Sequence, residues 1–65
     1  MLPFQKTCKC INTYEYDEYI FIKNHEYQVD IYPNAIYKIY NNGGYTDWIN
    51  INGDEKFNKY FKLII

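Results

Sequence analysis

The residues best suited to covalent or metal chemistry in this 65-residue chain are two cysteines and one histidine. Cys8 or Cys10 paired with His25 would give a thiolate nucleophile with an imidazole base. A metal site would need two more ligands than the cysteines supply, and His25 is the only other soft candidate. Nothing in the spacing brings His25 to the cysteines, because it falls in a predicted turn. We therefore expect no metal or cofactor, and we interpret at least Cys10 as a small buried apolar residue.

Adjacent carboxylates are the candidates for acid–base chemistry. Asp17 precedes Glu18, and Asp54 precedes Glu55. Side chains of neighbours on a strand point to opposite faces, so these pairs give little support for general acid–base catalysis. The chain also lacks serine, the commonest hydroxyl nucleophile. We expect a non-enzymatic protein.

Charge and hydropathy restrict the partners. Seven lysines stand against eight acidic residues, and arginine, the usual side chain for bidentate recognition of phosphates and bases, is absent. The composition therefore argues against a dedicated nucleic-acid binder. No segment approaches the ~18 apolar residues that span a bilayer, and residues 1–4 lack the features of a secretory signal. We expect a cytoplasmic protein without a membrane partner.

Short strands must position these side chains, because apolar and polar residues alternate along much of the chain. Ten isoleucines and nine tyrosines also suit pleated strands better than a helix bundle. The pattern predicts strands over 7–12, 26–32, 36–40 and 45–51, with a partly irregular loop over 13–22. Asn24 suits a left-handed turn, Pro33 ends a strand, and residues 41–44 give the strongest hairpin signal.

The C-terminal segment predicts one short helix or 3-10 turn. Asn52 and Glu55 have the spacing of a capping box, and Phe57, Phe61 and Ile64 fall at helical spacing. Several short strands, compact turns and one terminal helix predict a single mainly β domain over residues 1–65, with a small barrel as its architecture.

Several short motifs together resemble one group of small proteins. The motifs are Lys9-Cys10-Ile11, the run 21–29, Tyr37-Lys38-Ile39 leading into residues 41–43, Trp48 and Phe57. They resemble the short SH3-like β-barrel proteins encoded by phages and prophages of low-GC Gram-positive bacteria. The resemblance covers residues 9 to 61, with Asn24 in place of the usual turn glycine and a shorter stretch at 33–36. It implies an SH3-like barrel of about five short antiparallel strands that binds and antagonises a host or defence protein.

The strand faces opposite the predicted core carry more aromatic surface than a small monomer normally leaves in water. These predicted partner anchors are Tyr32, Ile36, Tyr40 and Trp48. Tyrosine and tryptophan are enriched at the hot spots of protein interfaces. Acidic side chains would steer the module toward a basic surface of its partner. The acidic residues that we assign to this role are Glu15, Asp17, Glu18 and Asp30.

Three alternatives remain open. The C-terminal helix and the segment 14–22 could cover the aromatic face, which would make the surplus rings structural. The rings could instead stack the bases of single-stranded nucleic acid, provided that lysines cluster on the same face. Finally, the chain could form a homodimer through this face or through residues 63–65.

Overall fold

Residues 3–42 and 45–64 are described by a computed structural model of the chain. In chain order the elements are β1 (Phe4–Cys10), β2 (Tyr14–Tyr16), β3 (Tyr19–Phe21), β4 (Glu26–Tyr32), β5 (Ile36–Tyr40), β6 (Trp48–Asn52), α1 (Asp54–Tyr60) and β7 (Phe61–Ile64). The predicted mainly β fold with a short C-terminal helix is confirmed. Within the described ranges, no helix has the length and apolar character needed to cross a membrane.

Five strands form one antiparallel sheet in the order β6-β5-β4-β1-β7. The other two strands, β2 and β3, form a separate hairpin that the chain makes between β1 and β4. Helix α1 follows β6 and leads directly into β7, so the chain passes from one edge of the sheet to the other. The predicted antiparallel strands are therefore present, while closure of the sheet into a barrel stays a prediction.

One face of the sheet forms the core, because apolar residues alternate along the strands. Between β4 and β5, Val29 lies opposite Ile39 and Ile31 lies opposite Tyr37. The buried cluster consists of Cys8, Cys10, Tyr14, Phe21, Val29, Tyr37, Ile39, Ile49, Ile51, Phe57 and Phe61. The interpretation of Cys10 as a small buried apolar residue is confirmed, and Cys8 is equally buried.

Aromatic rings from α1 and the start of β7 fill the centre of this core. Phe57 stacks on Tyr37 with 3.9 Å between ring centroids, and its ring lies 5.6 Å from that of Phe61. Phe61 in turn contacts Phe21 edge-on at 5.5 Å. Each such pair contributes about 0.5–1.5 kcal/mol beyond the burial of its surface. Helix α1 therefore packs on the core side of the sheet.

The predicted irregular loop over 13–22 is wrong, because these residues form the β2–β3 hairpin. Tyr14 pairs with Phe21, and Tyr16 pairs with Tyr19. Asp17 stands in the turn at φ 56, a left-handed conformation that aspartate and asparagine tolerate better than most residues. The hairpin is thus an ordered element whose two inner-facing rings, those of Tyr14 and Phe21, belong to the core.

The helix begins within the predicted stretch, at Asp54, but the predicted capping box is wrong. No side chain caps α1, whose N-cap is Gly53 rather than Asn52. Gly53 has φ 103, which glycine adopts at low cost. The hydroxyl of Tyr37 donates a hydrogen bond to the carboxylate of Asp54 at the first helical residue. Of the three residues predicted at helical spacing only Phe57 lies in the helix; Phe61 and Ile64 belong to β7.

The remaining strand bounds agree with the predicted ones to within about three residues. The predicted bounds of β4 and β5 are confirmed, and Asn24 has the expected left-handed φ of 77°. Strand β1 begins at Phe4, three residues before the predicted start, and β6 begins at Trp48 instead of residue 45. Strands β5 and β6 pair antiparallel, as the predicted hairpin requires. The glycines of its turn, Gly43 and Gly44, lie outside the described residues.

Candidate functional site

The outer face of the sheet, opposite the core, carries the side chains that the sequence predicted as partner anchors. Tyr32 on β4 lies across from Ile36 on β5, and Tyr40 on β5 lies across from Trp48 on β6. Because alternate residues of a strand share one face, these four residues belong to a single surface.

Three of these side chains line an open groove of about 480 Å³. This outer-face groove is lined by Tyr32, Pro33, Asn34, Ile36, Lys38, Trp48 and Asn50. The tight β4–β5 turn forms one end of it, with Asn34 at φ 68 and Ala35 at φ 57. Trp48 is 43% exposed, so a large aromatic surface faces solvent. The lining includes no residue of α1 or of the β2–β3 hairpin.

A lysine ammonium lies over two of the outer-face rings. Nζ of Lys38 is 4.4 Å from the ring centroid of Trp48 and 5.3 Å from that of Tyr40. Both distances fall inside the ~6 Å within which a cation is attracted by a ring face. The groove therefore combines apolar walls with one positive charge.

Tyr40 and Asp30 are buried, which corrects the prediction that both are exposed. Tyr40 is 6% exposed and Asp30 7%. The Tyr40 hydroxyl donates a hydrogen bond of 2.6 Å to Oδ2 of Asp30, and the Tyr45 ring packs edge-on against Tyr40 at 4.9 Å. The hydrogen bond to Asp30, followed by burial, raises the pKa of Tyr40 to about 12. Tyr40 is thus a buried neighbour of Trp48 that does not line the groove, and Asp30 is not a free surface charge.

The other predicted acidic residues lie together on the β2–β3 hairpin. Glu15, Asp17 and Glu18 are all exposed, at or beside its turn. Nδ2 of Asn41 donates a hydrogen bond of 2.9 Å to the carbonyl oxygen of Ile20, which ties the hairpin to the end of β5. The hairpin therefore holds its negative charges at a fixed position relative to the sheet.

Sequence reasoning missed one acidic residue, Asp47, which connects the hairpin to the groove. Partial burial raises the pKa of Tyr19, and the carboxylates of Asp47, Glu18 and Asp17 raise it further. These three carboxylates, which we term the acidic cluster, therefore lie near the Tyr19 hydroxyl. Asp47 directly precedes Trp48 in the chain, although it is not among the residues that line the groove.

The cysteines and the histidine do not form a reactive pair. Both thiols are free and fully buried, whereas His25 is exposed. Desolvation, followed by the neighbouring Cys10, raises the pKa of Cys8 to about 12. The main chain of His25 does lie beside β1, since its carbonyl oxygen accepts a 2.9 Å hydrogen bond from the Cys10 amide. Among residues 3–42 and 45–64, no three or more His, Cys, Asp or Glu residues form a group that could hold a metal ion.

Comparison with known proteins identifies no relative of this chain. No protein-family model matches it, and neither a curated protein nor a solved structure shows significant similarity to it.

Proposed function

We propose that this chain is a non-enzymatic protein-binding module that holds its partner in the outer-face groove. The observation that carries the proposal is the meeting of Tyr32, Ile36 and Trp48 in one open groove. Helix α1 packs on the opposite face, where Phe57 stacks on Tyr37, so it leaves these three side chains uncovered. Aromatic side chains in such a depression are those on which binding energy concentrates at protein interfaces.

The partner that we propose has a basic surface beside the apolar group that enters the groove. Glu15 and the acidic cluster supply negative charge that begins one residue from Trp48. Complementary charge speeds the encounter of two proteins and fixes their register, although it adds less to final affinity. Buried Asp30 takes no part in this steering.

The fold supports a finer proposal, an SH3-like barrel. The proposal is supported by the five antiparallel strands of the main sheet and by the short helix that precedes β7. The resemblance to phage and prophage proteins of low-GC Gram-positive bacteria adds a biological setting. In that setting the module acts in the cytoplasm of a bacterial host, as an inhibitor or modulator of a host or defence protein.

Single-stranded nucleic acid is the weaker alternative for the same groove. Stacked bases need a track of cations beside the aromatic rings, and Lys38 is the one lysine that lines the groove. The acidic cluster beside Trp48 would also repel phosphates. Self-association through the groove is a further outcome that the experiment below distinguishes.

The proposal is tested by capturing a partner from a Gram-positive host lysate and measuring its affinity after purification. Trp48→Ala should weaken binding by at least about 2 kcal/mol, roughly thirtyfold, because it removes the central aromatic wall of the groove. The matched control is Phe4→Ala, which removes another exposed ring (73% exposed) from the far strand β1 and should leave affinity unchanged.

A second variant tests the steering. Replacing Glu15, Asp17 and Glu18 by Gln, Asn and Gln neutralises the hairpin, and asparagine keeps the left-handed turn at position 17 accessible. The association rate should fall by about tenfold at low salt, and this difference should shrink as salt rises. Equal affinity for Trp48→Ala and the unaltered protein would refute the groove as the binding site. Capture of only the chain itself, or of oligonucleotides at low salt, would instead favour the alternatives.

A further inference from the structure

Lys38 occupies the outer face in an unusual way for a surface lysine. Its Nζ lies within cation–π distance of two rings at once, those of Trp48 and Tyr40. By contrast, Lys56 and Lys59 each lie over a single ring, at 5.6 and 5.4 Å from the centroid. The Trp48 and Tyr40 rings therefore form a pair, hereafter the ring pair, whose shared position already holds a cation.

The charges around the ring pair favour a cation there. The carboxylate of Asp30 accepts the Tyr40 hydroxyl hydrogen bond behind one ring, and Asp47 precedes the other ring in the chain. Asp30 also faces Lys38 across the β4–β5 ladder. A carboxylate that polarises the hydroxyl of an aromatic ring makes the face of that ring more negative, which strengthens its attraction for a cation.

Lys38 is held by the rings and not by an ion pair. Within the described residues, its ammonium makes the two ring contacts and no ion pair with a carboxylate. A lysine stem has four rotatable bonds and can move aside without breaking a hydrogen-bonded network. A cation–π contact at an exposed site is worth about 0.5–1 kcal/mol, so a competing cation meets only a small barrier.

We infer that the ring pair is a binding site for a cationic side chain, an arginine or lysine of the partner, and that Lys38 is its built-in competitor. The inference deepens the function proposed above, since it names the group of the basic partner that enters beside Trp48. The partner's guanidinium or ammonium displaces the Lys38 ammonium from the two rings. The displaced ammonium moves to solvent, and the incoming cation takes its place on the face where Asp30 lies opposite Lys38.

The test uses the single tryptophan of the chain as its reporter, because Trp48 fluorescence responds directly to a cation on its ring. The probe is N-acetyl-arginine methylamide, and its neutral control is the citrulline analogue of nearly equal shape. The variant Lys38→Met keeps an apolar stem and removes the competing ammonium. The matched control Lys9→Met makes the same charge change on β1, two strands away from Lys38 in the sheet.

We expect the arginine probe to shift Trp48 fluorescence saturably in every protein, while the citrulline analogue does not. Half-saturation should need about two- to fivefold less probe in Lys38→Met than in the unaltered chain or Lys9→Met, which is the fold-change that an exposed cation–π contact corresponds to. Equal half-saturation in Lys38→Met and Lys9→Met, or an equal response to the citrulline analogue, would overturn the inference. Circular dichroism verifies folding; if Lys38→Met does not fold, the arginine–citrulline comparison on the unaltered chain decides alone.

These outcomes separate the inference from the proposed function. If Trp48→Ala loses partner capture and the unaltered chain shows no cation response, the groove remains the proposed docking site but the ring pair is not a cation site. If the unaltered chain shows the cation response but Trp48→Ala still captures the partner normally, the ring pair binds a cation but the groove is not the docking site.

Discussion

The two faces of the five-stranded sheet use the same types of residue for different purposes. On the core face each ring is covered by another ring, as where Phe57 stacks on Tyr37 at 3.9 Å. On the outer face the Trp48 ring is covered only in part, by the movable ammonium of Lys38 at 4.4 Å, and 43% of it stays exposed. Aromatic abundance alone therefore does not assign a function; the element that covers each face does.

The two faces are alike in one respect, because each fixes a tyrosine hydroxyl on a carboxylate. Tyr37 on the core face donates to Asp54, and Tyr40 on the outer face donates to Asp30. Tyr37 thereby joins the sheet to α1, whereas Tyr40 joins β5 to β4 on the outer face. The outer face thus combines a buried hydrogen bond between two strands with a lysine that makes only ring contacts.

The largest expected effect is on the core face. Phe57→Ala removes the ring that contacts both Tyr37 and Phe61, and it should destabilise the protein by about 3–5 kcal/mol. Because domains of this kind are stable by only about 5–15 kcal/mol, the variant should be close to unfolding at room temperature. Urea unfolding followed by circular dichroism measures the change. Phe4→Ala, the exposed counterpart, should stay within about 0.5 kcal/mol; a cost below 1 kcal/mol for Phe57→Ala would show that α1 is not packed as described.

An intermediate loss of stability is expected at the buried hydrogen bond between Tyr40 and Asp30. Tyr40→Phe removes the donor to Asp30 and leaves a buried carboxylate without that partner, which should cost about 1.5–3 kcal/mol. A decrease of less than 0.5 kcal/mol in the free energy of urea unfolding would mean that water replaces the Tyr40 hydroxyl as the donor to Asp30, and that this site is open to solvent.

The same tyrosines make stability depend on pH in the alkaline range. The pKa of Tyr40, raised by its hydrogen bond to Asp30 and by burial, and that of Tyr37, raised by burial and by its hydrogen bond to Asp54, are both about 12. An unfolded tyrosine loses its proton near pH 10, before the folded one does. The buried Cys8 thiol, whose pKa is also raised to about 12, adds to this dependence from a lower pH, because an unfolded thiol loses its proton near pH 9. Stability should therefore begin to fall above about pH 9 and fall more steeply between about pH 10 and 12. Tyr40→Phe should make this steeper fall shallower, since one of the contributing groups is removed; an unchanged slope would contradict the assignment.

Much of the fold follows from local sequence. The period-two alternation of residues 26–32 and the proline and asparagine after it predicted β4 and β5 with correct bounds. The hairpin at 14–21 was missed because Tyr19, Ile20 and Phe21 are all apolar, so alternation fails in its second strand. The capping box predicted from Asn52 and Glu55 is wrong because Gly53 is the N-cap, reaches φ 103 without any side-chain cap, and carries no capping pattern.

The site was predictable only as far as strand parity reaches. Alternation placed Tyr32, Ile36, Tyr40 and Trp48 on one face, as the structure has them. It could not show that Tyr45 packs on Tyr40, because that contact depends on how the chain returns through residues 45–47. It could not show the hydrogen bond from Tyr40 to Asp30 either, because alternation assigns a side chain to a face and not to a partner on the next strand. The approach of Asp47 to Asp17 and Glu18 likewise depends on the placement of the hairpin.

The smallest expected effect on stability is at the groove itself. Trp48→Ala removes a cross-strand contact with Tyr40 and the ring beneath Lys38, which together should cost about 1 kcal/mol or less. A double-mutant cycle with Lys38→Met isolates the coupling between ring and ammonium, expected at about 0.5–1 kcal/mol. If Trp48→Ala were as destabilising as Phe57→Ala, both faces of the sheet would be structural, and the groove would no longer be supported as a partner-binding site. A small loss of stability together with a large loss of capture is the result that separates the binding face from the core face.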